Sequence, residues 1–263
     1  MNEIPQIFDG RLRRVRRARA ARGFDAFAFL AEAMAAELSE RLDTVDRVFA
    51  CAACTGPRVP HSPHVAGWVR GDIEPLFLER QAVVFEEEQL PFGAATLDLY
   101  ASVSTLHAVN DLPGALTQIR RSLKPGGLFL AGLLGGETLR ELRESLSQAE
   151  IEVDGGLSPR VAPFADVRDA GALLQRAGFD LPVADSDTIV VTYEHPLKLL
   201  ADLRGMGETN ALTARRRSFL KRAVVARACE IYFEKFRRAD GRVTATFQIL
   251  YMTGWAPRAT SPR

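Results

Sequence analysis

The chain has 263 residues, 47% of them hydrophobic and 25% charged, with a formal net charge of +1. These values are typical of a globular protein with a substantial core, and the balanced charge argues against a nucleic-acid-binding protein. No apolar run reaches the ~20 residues of a membrane span, and no signal-peptide core follows the charged start, so we expect a cytoplasmic location. The three cysteines, Cys51, Cys54 and Cys229, are expected to be reduced thiols.

The N-terminal region predicts a basic arm followed by a helix. Seven arginines lie between Arg11 and Arg22, separated almost only by Ala, Val and Leu. This composition predicts a solvated helical arm, with a docking surface for an acidic partner as the alternative. From Phe24 to Leu42 the apolar residues follow helical spacing, which predicts an amphipathic helix.

Short apolar strands alternate with amphipathic helices between residues 45 and 150. The first strand is predicted at VDRVFAC, and later ones at HVAGWVRGD, QAVVF, ATLDLYASV and GGLFLAGLL. A helix, DLPGALTQIRRSL, lies between the last two, with Asp111 as its expected N-cap. This alternation is typical of parallel β–α units, so we expect a doubly wound α/β sheet with helices on both faces.

The C-terminal part has a different organisation. A helix closed by Gly178 precedes the strand DSDTIVVTY, and a mostly helical stretch at about 195–238 precedes the last strand, VTATFQILYMTGW. We expect these two strands to pair antiparallel at one edge of the sheet, with the helical stretch as an insertion. The predicted organisation is an arm and helix at 1–44, then one domain at 45–263.

Residues 83 to 132, VVFEEEQLPFGAATLDLYASVSTLHAVNDLPGALTQIRRSLKPGGLFLAG, carry a specific order of motifs. An acidic residue, LPF, LH-x-V-N-D and LKPGG in that order resemble class I S-adenosylmethionine-dependent methyltransferases, including the biotin-synthesis malonyl-carrier methyltransferase. Further segments, among them QIFDGRLRRVRR, GGLSPRVAPF, LRGMGETNA and ATFQILYMTGW, resemble the mitochondrial complex I assembly factor family, which includes a protein-arginine hydroxylase.

This resemblance implies a seven-stranded, mostly parallel, Rossmann-like sheet with an antiparallel C-terminal edge strand. It implies S-adenosylmethionine as the cofactor, and a protein substrate or a respiratory complex subunit as the partner. The domain at 45–263 is accordingly expected to be methyltransferase-like.

The segment expected to cradle the cofactor departs from the family pattern. A competent member ends its first strand in a D-x-G-x-G turn, whose glycines permit positive φ and whose amides meet the methionine carboxylate. Aligned on that pattern, Ala50 replaces the acid, Ala52 and Cys54 replace two glycines, and Gly56 remains. Together these changes are expected to weaken cofactor binding by about 3–6 kcal/mol.

The resemblance also implies further residues for the cofactor. Asp72 is the candidate acceptor for the ribose hydroxyls, as in dinucleotide folds. Glu86 is the candidate partner of the adenine amino group, with Leu90 near the ring and Ser104 at the end of the fourth strand. The short stretch of chain between Gly56 and Glu86 suggests that a helix or strand is missing.

Sites in open α/β sheets lie beyond the carboxyl ends of the strands. Two candidate catalytic residues, His107 and Glu137, are expected there, and a third, Glu208, lies in the motif LRGMGETNA. The two glycines of LRGMGETNA predict a loop that covers the substrate. Three residues of this loop are candidates for substrate contact: Arg204, Met206 and Asn210.

Three alternatives to a methyltransferase-like enzyme stay open at this point. The degenerate turn suits a non-catalytic assembly factor or chaperone that has lost the cofactor. Cys51, Cys54, His61 and His64 are residue types that bind zinc, although their spacing is shorter than in zinc fingers. His61, His64 and Asp72 could form a non-haem iron site of the two-histidine, one-carboxylate type.

Overall fold

Seven strands form one sheet in the computed structural model, which describes residues 5–78 and 82–258. The strands are β1 Ala52–Thr55, β2 Trp68–Asp72, β3 Ala82–Val84, β4 Leu97–Val103, β5 Leu123–Leu134, β6 Asp180–Tyr193 and β7 Val243–Trp255. Their order across the sheet is β3-β2-β1-β4-β5-β7-β6. β1 to β5 pair in parallel, whereas β7 runs antiparallel to both β5 and β6.

This topology confirms the predicted doubly wound α/β sheet with antiparallel pairing at one edge. β6 occupies the edge itself, and the C-terminal strand β7 lies one position inside it. β7 pairs with β6 along its whole length, from Val243 against Tyr193 to Trp255 against Asp180, and with β5 from Ile249 against Leu134 to Trp255 against Leu128. The central position suits its sequence, because its side chains are buried on both faces.

Seven helices cover the sheet in the described part of the chain. They are α1 Gly10–Ala21, α2 Phe29–Asp43, α3 Leu112–Ser122, α4 Arg140–Asp154, α5 Val167–Ala177, α6 Pro196–Met206 and α7 Arg222–Phe236. As predicted, Asp111 caps α3 by accepting a hydrogen bond from the Gly114 N–H at 2.8 Å, and Gly178 ends α5 in a left-handed conformation. None of these helices is both long and apolar enough to cross a membrane.

The hydrophobic core lies on both faces of the sheet. On one face α2, α4, α6 and α7 pack around side chains such as Met34 and Phe247. On the other, α3 and α5 pack around Tyr100 and Phe129. The two helical layers bury β4 completely and β5 from Gly126 onward, which explains their nearly continuous apolar sequence.

The connections near the first strands are shortened. Residues 56–67 join β1 to β2 without a helix, and a 3-10 turn, Pro75–Phe77, is the only helical element among the described residues between β2 and β3. The chain has therefore lost crossover helices and kept all the strands. Gln81, the first residue of the predicted strand QAVVF, lies outside the described residues.

The structure corrects three local predictions. The first strand is Ala52–Thr55, slightly later than VDRVFAC, because the Asp98 carboxylate accepts the Cys51 N–H at 3.0 Å just before the strand begins. The basic arm is helical as predicted but not wholly solvated, since Arg17 of α1 is 4% exposed. The segment LRGMGETNA is helical as far as Met206, and its loop begins at Gly207, with φ of 83°.

Candidate functional site

A cavity of about 330 Å³ lies at the carboxyl ends of β4 and β5. Two of its residues, Ser104 after β4 and Leu139 before α4, have positive φ values of 57° and 58°. Non-glycine residues in this conformation cost about 1–2 kcal/mol and concentrate at functional sites. Most of the remaining wall is apolar and includes Leu30, Leu142, Phe164, Leu203 and Phe247. An apolar cavity at this edge of an α/β sheet is a typical ligand site.

A histidine and a glutamate meet at this cavity. His107 lies in the 3-10 turn after β4, and Glu208 follows the left-handed Gly207 that ends α6. The His107 Nε2 lies 3.1 Å from the Glu208 Oε2, and the His107 side chain is 2% exposed. The pair brings together two segments separated by 101 residues in sequence.

The environment of this pair sets its charge. Burial raises the pKa of Glu208, but His107, Arg17 and Arg13 together lower it by more than burial raises it. The pKa of this carboxyl therefore lies below its ordinary value. The other ring nitrogen of His107, Nδ1, is buried and has no hydrogen-bond partner among the described residues. The cavity therefore contains a carboxylate that can accept a hydrogen bond and an imidazole that can hold or transfer a proton.

One wall of the cavity depends on a buried glutamate of α4. Glu150 accepts hydrogen bonds from the Ser158 N–H at 2.9 Å and the Arg160 Nε at 2.8 Å. These contacts hold the segment after α4, which places Arg160, Val161 and Phe164 in the wall. The rings of Phe164 and His107 make a T-shaped contact, with centroids 5.8 Å apart.

The segment before α1 forms another part of the cavity wall. The Phe8 N–H donates to the Asn110 side chain at 2.7 Å, and the Asp9 N–H donates to the Ala211 carbonyl at 2.8 Å. Phe8 forms an isolated bridge with Leu212 and lines the cavity. Asn110, the N of the motif LH-x-V-N-D, thus connects the chain start to the end of β4.

Arginines of α1 contact the acids expected to hold the cofactor. Arg17 donates to both oxygens of Asp72, with Nε to Oδ1 at 3.1 Å. Arg14 forms an ion pair with Glu86. Arg13 lies 3.5 Å from Glu87, a neighbouring acid that is 2% exposed. The proposed ribose and adenine acceptors are therefore both paired within the chain.

The turn after β1 lies later than the sequence alignment indicates. All of Ala52–Thr55 is strand, so the turn begins at Gly56, whose φ is 115° and whose added Cβ would lie 2.0 Å from the Val103 carbonyl oxygen. In this register Cys54 takes the place of the acid, and Arg58 that of the second glycine. Burial raises the pKa of the Cys54 thiol to about 12, so the position carries no negative charge at neutral pH.

The space beside this turn is filled by the protein. Pro57, Arg17, Phe24 and Phe27 enclose a remaining volume of about 10 Å³, roughly that of one water molecule. Pro57 also has no N–H for a ligand carboxylate. The residues present do not fit S-adenosylmethionine in this arrangement, because both the space and the acidic acceptors are occupied.

Five of the residues predicted for the site line one cavity: Ser104, His107, Met206, Glu208 and Asn210. Gly56 and Asp72 do not line it and lie at the ends of β1 and β2. Glu137 and Arg204 do not line the cavity, since Glu137 pairs with Arg140 on the surface and Arg204 is on the exposed side of α6. Leu90 packs into the second core cluster instead.

Several cavity residues that are arginine or aromatic were not predicted from the sequence. They are Phe8, Arg13, Arg17, Arg160 and Phe164. A sequence signal existed for the arginines of α1, because three of them follow the helical spacing i, i+1 and i+4 and reach three acids. The sequence around the acids did not predict this pairing, since Arg17 and Asp72 are 55 residues apart.

The metal alternatives do not agree with the geometry. Cys51 is exposed and precedes β1, whereas Cys54 is buried within it. Asp72 pairs with Arg17 and is not available to a metal with His61 and His64. Within residues 5–78 and 82–258, no group of three or more His, Cys, Asp or Glu side chains could hold a metal ion.

The chain is similar to class I S-adenosylmethionine-dependent methyltransferases in part of its sequence and in its fold. Residues 29–131 match the family described as methyltransferase domain. The structure is similar to that of the YcgJ protein from Bacillus subtilis, with a TM-score of 0.56 over 85% of this chain and 99% of that chain. The sequence identity of 13% limits that second comparison to the fold.

Two named proteins are similar in sequence. The arginine-hydroxylase NDUFAF5 of zebrafish, a mitochondrial protein, is 48% identical over 177 residues, which are 67% of this chain and 55% of that protein. A malonyl-[acyl-carrier protein] O-methyltransferase of Methylovorus is 37% identical over 183 residues, 70% of this chain and 59% of that protein. The chain thus spans somewhat more than half the length of these relatives. The similarity confirms the resemblance to both families that the motifs indicate.

Proposed function

We propose that this chain is a methyltransferase-like protein of the complex I assembly factor type, and that its cavity holds a protein side chain for modification. The observation that carries the proposal is the contact between the buried His107 and the partly buried Glu208 in a mainly apolar cavity. This contact joins the motif LH-x-V-N-D to the segment LRGMGETNA, and both resemble the family. The similarity to an arginine hydroxylase supports a protein client.

The cavity suits a long side chain with a polar end. Its apolar wall can bury methylene groups, and Glu208 supplies an ionised carboxylate that can accept hydrogen bonds from a guanidinium. His107 orients this carboxylate and can hold a proton. An arginine of a respiratory complex subunit is therefore our proposed client residue, and the cytoplasm is our proposed location.

The proposal is tested by deleting the gene in the organism that encodes the chain and analysing the subunits of its NADH-oxidising respiratory complex by peptide mass spectrometry. We expect one arginine-containing peptide to lose the mass of an added oxygen or methyl group. Plasmid-borne wild-type protein and the surface variant Glu230→Gln should restore the modification, whereas Glu208→Gln should not. Identical peptide masses in the deletion and wild-type strains would contradict the proposal.

A second candidate function is a non-catalytic assembly factor. The observation that favours it is the occupation of Asp72 and Glu86 by Arg17 and Arg14. Calorimetric titration of S-adenosylmethionine into the purified protein tests it. Binding in the micromolar range would exclude a protein that has lost its cofactor, whereas absence of binding at millimolar cofactor would exclude an ordinary methyltransferase.

A further inference from the structure

A groove rich in arginine adjoins the cavity. It has a volume of about 500 Å³ and lies between α1 and the segment that precedes α7. Arg160 and Asn210 line both the groove and the cavity. A ligand in the groove would therefore lie beside the mouth of the proposed side-chain site.

The charges along this groove are unbalanced. Five arginines line it, Arg16, Arg160, Arg215, Arg216 and Arg217, against one acid, Asp9. Asp9 is already paired with Arg215 at 3.1 Å, and Arg160 with Glu150. Arg216 lies 2.6 Å from Asp154, which it shares with Lys221.

Two arginines supply the excess positive charge. Arg16 Nη1 is buried without a hydrogen-bond partner in the described part of the chain. Burial lowers the pKa of Arg16, and the positive charges of Arg215 and Arg19 lower it further. Arg217 is exposed and forms no ion pair with residues 5–78 or 82–258. A buried donor without an acceptor beside like charges indicates that an anionic group belongs here.

An aromatic ring stands beside these charges. Phe219, which also lines the groove, is fully exposed, with a relative accessibility of 101%. Arginine and aromatic residues are enriched in protein–protein interfaces, where they supply most of the binding free energy. The groove thus combines cationic donors with an apolar contact, which suits a polypeptide.

We propose that the groove binds an acidic segment of the client polypeptide, adjacent to the residue that enters the cavity. Carboxylates of that segment would accept hydrogen bonds from Arg16 and Arg217, and an apolar side chain would cover Phe219. Charge complementarity favours this occupant, because the groove offers guanidinium groups in excess and no unpaired acid. The identification of the client rests on the proposed function, whereas the binding of an acidic peptide in this arginine-rich groove does not.

The test uses fluorescence anisotropy of a fluorescein-labelled hexaglutamate peptide titrated with the full-length protein. We expect saturable binding at about 50 mM salt that weakens strongly at about 500 mM. Reversing one exposed charge with Arg217→Glu should weaken binding about fivefold or more. The matched control, Arg121→Glu, reverses an exposed arginine of α3 outside the groove and should change the affinity less than twofold.

Three results would overturn the proposal. The first is that the peptide does not bind, and the second is that Arg217→Glu and Arg121→Glu reduce the peptide affinity equally. The third is that the protein binds anionic phosphatidylglycerol vesicles instead of the peptide, in a way that depends on Arg217. The last result would assign the groove to a membrane surface. None of them depends on modification of a client, so failure here is distinguishable from failure of the Glu208→Gln test.

Discussion

Arg17 of α1 and Asp72 at the end of β2 form a buried ion pair, with side chains only 5% and 1% exposed. The guanidinium also lies over the Phe77 ring, 4.6 Å from its centroid. These contacts attach the N-terminal helix to the sheet at the position where the family places the cofactor ribose. The pair is therefore both a structural link and an obstacle to the ligand that the fold implies.

Replacing Arg17 by Met should destabilise the protein by about 3–5 kcal/mol, because the buried Asp72 would lose its cationic partner and keep only the hydrogen bond from the Glu74 N–H. Adding Asp72→Leu to this variant should recover much of the loss, since an apolar pair removes the uncompensated charge. Urea denaturation of the single and double variants measures both effects. A loss below about 1 kcal/mol for Arg17→Met would mean that Asp72 is reached by water.

Gly56→Ala should destabilise the protein by about 2–5 kcal/mol, because a Cβ there meets the Val103 carbonyl at a positive φ. The strand β4 that carries Val103 is buried and cannot move aside cheaply. Gly67→Ala is the matched control, since a Cβ at Gly67 meets nothing within 4 Å. Equal unfolding midpoints in urea for the two variants would show that the turn is not constrained as described.

Motif order was enough to predict the sheet, its antiparallel edge and the caps at Asp111 and Gly178. These features depend on local patterns, such as an acid before a helix or a glycine after it. The register of β1 was not predictable in this way, because VDRVFAC and AACT are both short apolar runs. Its start depends on Asp98, which lies 47 residues away.

The site was predicted in part, because some of its residues lie together in one motif whereas others meet only in the folded chain. Met206, Glu208 and Asn210 lie in one segment, and their position at the cavity follows from the family motif. The pairing of the α1 arginines with three acids depends on how the N-terminal helix packs over the sheet. Helical periodicity places such arginines on one face but does not identify what that face contacts.

Glu208 should contribute stability that depends on pH. Its pKa in the folded protein lies below the ordinary value of 4.5, so its contribution is present above that pH and is lost as the pH falls through the folded value. At pH 7 we expect Glu208→Gln to cost about 1–3 kcal/mol. Urea unfolding from pH 7 down to about 3 should show this difference shrinking.

The control for that series is Glu230→Gln, which changes an exposed glutamate of α7. Its stability relative to the wild type should stay nearly constant over the same range. A constant difference for Glu208→Gln as well would mean that the carboxyl is not held in its ionised form by His107 and the neighbouring arginines.

The three thiols should react at different rates with a thiol reagent such as dithionitrobenzoate. Cys51 is exposed and should react first, whereas Cys229 is partly buried and should react more slowly, since burial and then Glu230 raise its pKa. Cys54 is buried in β1 and should react only on unfolding. Cys51→Ser should remove the fast phase, and rapid reaction of two thiols in that variant would contradict the burial of Cys54.

The edge position of β6 has a consequence for how the protein behaves at high concentration. An open strand edge offers free N–H and carbonyl groups to any other extended chain, which leads to aggregation. β6 contains Pro182, which has no N–H, and the exposed carboxylates of Asp180 and Asp187. A second copy of β6 pairing there would bring like charges together. The sequence of this strand therefore disfavours pairing of the exposed sheet edge with another molecule of the protein.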